Sequence, residues 1–93
     1  MTNSDENWKW HAAVACREIG GETVIVGTDK REVHITDEVG TFLWQHLKHG
    51  ATIAKLTELL CADYDVSEGR ACQDVKEFVD ELVAKQLLEN IDE

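Results

Sequence analysis

The stretch Glu22–Trp44, ETVIVGTDKREVHITDEVGTFLW, changes its period part-way along, and that change decides the fold. Glu22-Thr23-Val24-Ile25-Val26 is β-branched and apolar and stops at Gly27, the pattern of a strand. Thr28-Asp29-Lys30 has the composition of a turn. Arg31-Glu32-Val33-His34-Ile35 then alternates, with Val33 and Ile35 on one face and Glu32 and His34 on the other. After Ile35 the spacing becomes helical. Thr36-Asp37-Glu38-Val39 offers a Thr cap followed by acids in the first turn, where the helix dipole favours negative charge.

Upstream, His11-Ala12-Ala13-Val14-Ala15-Cys16 is short and apolar, and Gly20-Gly21 is a hairpin signal. The expectation is a three-stranded antiparallel β-meander over about Trp10–Ile35, its last strand polar on one face and suited to a sheet edge. Residues 1–9 are expected to form a flexible N-terminal arm, and residues 10–91 one domain. Trp8 and Trp10 sit before the meander, either to cap the sheet or to dock on a partner subunit.

Downstream, the pattern predicts three helices. Val39, Phe42, Leu43, Trp44 and Leu47 form the first apolar stripe, ended by His49-Gly50. Thr52 opens a second helix with Ile53, Leu56, Leu59 and Leu60 on one face. Ser67 caps a third, running to about Lys85, whose apolar positions are Ala71, Cys72, Val75, Phe78, Val79, Leu82 and Val83. At 100° per residue its apolar arc is about 140° wide, more than one sheet needs for cover. Leu87–Ile91 has the pattern of a final short strand. The fold class is therefore α+β and winged-helix-like: a three-stranded antiparallel β-meander followed by three α-helices.

The 93 residues carry a formal net charge of -10, from 19 Asp+Glu against 9 Lys+Arg. That balance argues against a phosphate backbone or an anionic membrane surface, both of which are bound through Lys and Arg. The third helix holds Glu68, Asp74, Glu77, Asp80 and Glu81 against Arg70, Lys76 and Lys85, so it would repel DNA. Cys16, Cys61 and Cys72 form neither a C-x-x-C pair nor an even framework, and are expected as small hydrophobes. His46 and His49 lack a further ligand at a matching offset, so no metal is expected. There is no phosphate loop and no nucleophile elbow. The expectation is a non-enzyme without a cofactor, placed in the cytoplasm by the absence of a signal peptide or membrane span.

Three segments then carry a resemblance: Ile35–Trp44, Leu47–Leu56 with its Leu47-x-x-Gly50 and Thr52-x-x-x-Leu56 steps, and Asp74-Val75-x-x-Phe78-x-x-x-Leu82-x-x-x-x-Leu87. In order, spacing and length, over residues 10–91, the chain resembles the PqqD family, which includes the PQQ-biosynthesis protein D. The resemblance implies a RiPP recognition element. Such a domain holds the leader of a ribosomally made precursor peptide and presents it to a modifying enzyme, often of the radical-SAM type. It further implies that the leader lies as an added strand along the third strand, in a groove bordered by the third helix. Gly27–Arg31 lacks the proline that members acting in PQQ synthesis tend to carry, which leaves the broader peptide-recognition role.

The residues expected at the peptide are Lys30, Arg31, Glu32, Val33, His34 and Ile35 on the edge strand, with Ala71, Asp74, Phe78, Glu81 and Lys85 on the third helix. Lys30 and Arg31, the adjacent basic pair, either meet acidic leader residues or blunt the strand edge against aggregation, while the chain as a whole favours a neutral or basic peptide. The expected partners are that leader and its modifying enzyme. The alternative is an interaction module that forms a homodimer through its edge strand.

Overall fold

A computed structural model describes residues 6–27 and 33–91. Its elements in chain order are β1 (Asn7–Trp10), β2 (Ala15–Ile19), β3 (Glu22–Val26), β4 (Val33–Thr36), α1 (Glu38–His46), β5 (Ala51–Thr52), α2 (Ile53–Asp63), α3 (Glu68–Ala84) and β6 (Leu88–Asn90). The α+β class, the meander and the three helices are as expected. The meander is β2-β3-β4. A second antiparallel sheet, β5-β1-β6, was not foreseen.

The hairpin between β2 and β3 turns at Gly20 and Gly21, with φ of +59° and +88°. Two consecutive positive φ angles define the turn whose twist matches the flanking strands, and glycine adopts them without steric cost. The first strand of the meander is displaced from its expected place. Val14 N–H bonds the His11 carbonyl at 3.1 Å, so residues 11–14 turn, and the strand runs over Ala15–Ile19 instead. The Thr28-Asp29-Lys30 turn lies outside the described residues.

Residues 7–9 belong to a sheet rather than to an arm. Asn7 and Trp8 pair with Thr52 and Ala51, and Trp8, Lys9 and Trp10 pair with Asn90, Glu89 and Leu88. Trp8 is buried. Trp10 stacks on Trp44, with ring centroids 4.5 Å apart and planes 13° apart, and its Nε1–H donates to the Trp44 carbonyl at 2.7 Å. Such a pair adds to its burial both stacking and a satisfied indole N–H.

The helices follow the predicted stripes, and two of the three caps. Thr52 and Ser67 accept from the amides of Lys55 and Arg70. The cap of α1 is Asp37 rather than Thr36; Asp37 accepts from Gly40 N–H at 2.9 Å, while Thr36 is still strand. That helix also ends earlier than expected, at His46 with Leu47 as C-cap. Leu43, Trp44, Leu47, Ile53, Leu56, Leu60, Val75, Val79 and Leu82 form one buried core with Trp8 and Leu88 of the small sheet and Ile25 of the meander.

Candidate peptide-binding groove

Among the described residues β4 pairs on one side alone, with β3, in the register Val26↔Val33 to Thr23↔Thr36. Leu88–Asn90, the segment able to compete for its other edge, pairs with β1 instead. An unpaired strand edge presents a row of backbone donors and acceptors to any extended chain that approaches.

The alternation read from the sequence holds along β4, and its polar members face inward. His34 and Thr36 are buried, whereas Val33 and Ile35 are 50% and 64% exposed. Burial of a polar side chain needs partners. Thr36 packs where α1 starts: a Cβ on Gly40 would overlap the Thr36 hydroxyl and stand 3.1 Å from the Phe78 ring. His34 reaches α3. Its ring lies 6.3 Å from that of Phe78 in edge-on geometry. Its Nδ1 is 3.0 Å from Lys85 Nζ and 3.7 Å from Glu81 Oε2, and Lys85 Nζ is 3.4 Å from the same Glu81 oxygen. An ammonium only donates, so Nδ1 accepts and the neutral ring carries its proton on Nε2. Burial first, then the Lys85 charge, push the His34 pKa below its ordinary 6.5, against an upward pull from Glu81.

His34 is thus brought together with Phe78, Glu81 and Lys85, more than 40 residues away in sequence. Asp74 is half-buried on the same helix and is held by Arg70, whose Nε is 3.2 Å from both carboxylate oxygens. Ala71 corrects the expectation: it has no exposed surface and belongs to the core, because the start of α3 is packed against its neighbours on that side. Lys30, Arg31 and Glu32 lie outside the described residues.

The sequence reading did not single out the Thr23–Thr41 hydroxyl pair, 2.8 Å apart and buried, which ties β3 to α1 under the same sheet. Thr23 stands in a β-branched strand and Thr41 in a helix 18 residues later, and neither segment alone marks the pair. Cys61 and Cys72 line one cavity of about 610 Å³ between α2 and α3, away from β4, with Ala54, Thr57, Glu58, Glu68 and Gly69. Among the described residues no cluster of three His, Cys, Asp or Glu is placed to hold a metal ion. No described helix is long and apolar enough to cross a membrane.

The profile of the family described as coenzyme PQQ synthesis protein D (PqqD) matches residues 22–88, which span β3 to β6. The chain belongs to the PqqD family. A solved structure, TbiB1 in complex with the TbiA(beta) leader peptide, is similar to this PqqD-family chain with a TM-score of 0.80 and 27% sequence identity. The similarity covers 91% of this chain and 99% of that one. No curated protein sequence matches the chain. The family match includes both β4 and α3.

Proposed function

We propose that this PqqD-family chain is a non-catalytic leader-binding domain of RiPP biosynthesis. It takes the leader of a precursor peptide as a fourth strand on the open edge of β4 and presents the peptide to a separate modifying enzyme of the radical-SAM type, in the cytoplasm. The observation that carries this reading is the one-sided pairing of β4 beside α3, in a chain similar to a solved leader complex. Main-chain hydrogen bonds to a sheet edge supply affinity, and alternate side chains of the added strand find pockets.

In this reading Val33, His34 and Ile35 offer the backbone edge, and Lys30, Arg31 and Glu32 are the further leader contacts expected from the sequence. Phe78, Glu81 and Lys85 form the opposite wall, and Asp74 borders it one turn earlier. Leader side chains pointing inward meet the Phe78 ring and the Lys85–His34 contact. With a net charge of -10 the domain favours a neutral or basic leader.

The test is calorimetric titration of the full chain with the leader of the precursor peptide encoded beside its gene. Saturable one-to-one binding, lost with a scrambled leader of the same composition, is the expected result. Equal heats from the leader and its scrambled form, or none from either, would overturn the reading.

A further inference from the structure

Across the meander the side-chain contacts pass from one helix to another. Glu18 of β2 accepts from Gln45 Nε2, and Thr23 of β3 meets Thr41, both on α1. His34 of β4 meets Phe78 and Lys85 instead. The C-terminal part of α3 therefore stands toward the open edge of the sheet, beneath the place where a fourth strand would lie. Lys85, at its C-cap, has a side chain 29% exposed, deeper than that of Glu81 at 54%.

The donors of Lys85 can be counted. An ammonium carries three N–H groups. One meets His34 Nδ1 at 3.0 Å, and a second can turn to Glu81 Oε2 at 3.4 Å. At least one has no partner among the described residues, and in the free chain water reaches it. A strand added to β4 changes its surroundings. Directly paired residues share a face, so the leader residue opposite His34 points inward, with its Cβ about 5 Å from that of His34. That side chain displaces the water and must answer the free N–H itself. A charged donor buried without an acceptor costs more than a hydrogen bond gains.

Charge narrows the answer. Lys85 and Glu81 cancel and the His34 ring is neutral, so the spot carries no net charge. A leader carboxylate would stand beside Glu81 on a chain that already carries -10. A leader cation would face Lys85 itself, and an apolar side chain would leave the N–H unanswered. A side-chain amide or hydroxyl accepts from Lys85 and adds no charge.

We infer that Lys85 is a specificity-determining residue, which selects a neutral, hydrogen-bond-accepting side chain at the leader position opposite His34. This rests on the leader-binding reading above and names the chemistry of one leader residue within it.

The test uses the full chain and the leader of the precursor peptide encoded beside its gene. NMR cross-strand contacts first identify the leader residue opposite His34, which should carry an amide or a hydroxyl. Its replacement by an apolar side chain of similar size should weaken binding about tenfold or more by calorimetry. In Lys85→Met the same replacement should cost no more than about threefold, because neither partner of the hydrogen bond is then present. His34 loses its Lys85 contact in that variant with either leader, so the comparison cancels it. A purely structural role for Lys85 would weaken both leaders alike and keep the tenfold penalty. That outcome, or a charged or apolar leader residue opposite His34, overturns the inference and leaves the leader-binding reading standing. Absence of leader binding, or of any pairing with β4, is read first and removes both.

Discussion

In the small sheet the central strand β1 is paired on both sides, and Trp8, Ala51 and Leu88, one from each strand, are buried. In the meander Ile25 is the large apolar side chain so buried, and the inner face is otherwise carried by Thr23, His34 and Thr36. Its outer face is bare. The first sheet is held by apolar burial, the second by specific polar contacts to α1 and α3 at Thr41, Glu81 and Lys85. A domain that keeps a strand edge open needs its stability from elsewhere, since an open edge forgoes half of its ladder. Here β1, close to the start of the chain, closes the core against β5 and β6 and leaves the meander available for a ligand.

Trp8→Ala attacks the closed sheet and should have the largest effect on the fold, a loss of about 3–5 kcal/mol in unfolding free energy by denaturant titration. The Trp8 Nε1–H is buried without a partner among the described residues, so packing carries the effect and Trp8→Phe should retain most of the stability. A loss below about 1 kcal/mol for Trp8→Ala would contradict the division between the sheets.

Gly40→Ala strikes the seam between the meander and α3. Its Cβ would overlap Thr36 and press on Phe78, so overpacking should cost about 1–3 kcal/mol and move the groove wall. Weakened leader binding in the variant that still folds is the accompanying expectation, read by fluorescence anisotropy.

A smaller effect comes through pH. The folded chain holds His34 below its ordinary 6.5, so just under that value the unfolded chain binds a proton that the folded one does not. The His34 contribution is therefore whole above pH 6.5 and is lost as pH falls through the depressed folded value. NMR titration should place the His34 midpoint below 6.5, and His34→Gln should flatten the corresponding slope of stability with pH. A midpoint above 6.5 would mean that Glu81 outweighs burial and Lys85.

The smallest effect on the fold is expected from Ile35→Thr on the bare face, where stability should change by no more than about 0.5 kcal/mol. A larger loss would show that the face is covered in the free protein.

Much of the molecule was legible in the sequence. Gly20-Gly21, Thr52 and Ser67 act locally, through φ angles and cap hydrogen bonds, and a local signal survives without knowledge of the fold. Thr36 and Asp37 are both good caps, and tertiary pairing of Thr36 with Thr23 settled which one serves. The small sheet was hidden because β1 finds its partners 40 to 80 residues away and β5 has two residues. Ala15–Ile19 was missed because all five residues are exposed, leaving no one-sided burial to mark a strand. In the groove, the edge strand and the Phe78–Glu81–Lys85 margin could be read from order and spacing. That His34 points inward could not, because its burial depends on Lys85 and Phe78, which only the fold supplies.

The open edge of β4 as the docking strand is tested most directly by NMR of the full chain bound to its leader. The account predicts cross-strand contacts between leader backbone protons and those of Val33–Thr36, with none at Asn7–Trp10. Cross-strand contacts to Ala15–Ile19, the other edge of the meander, or to no strand at all, would contradict it.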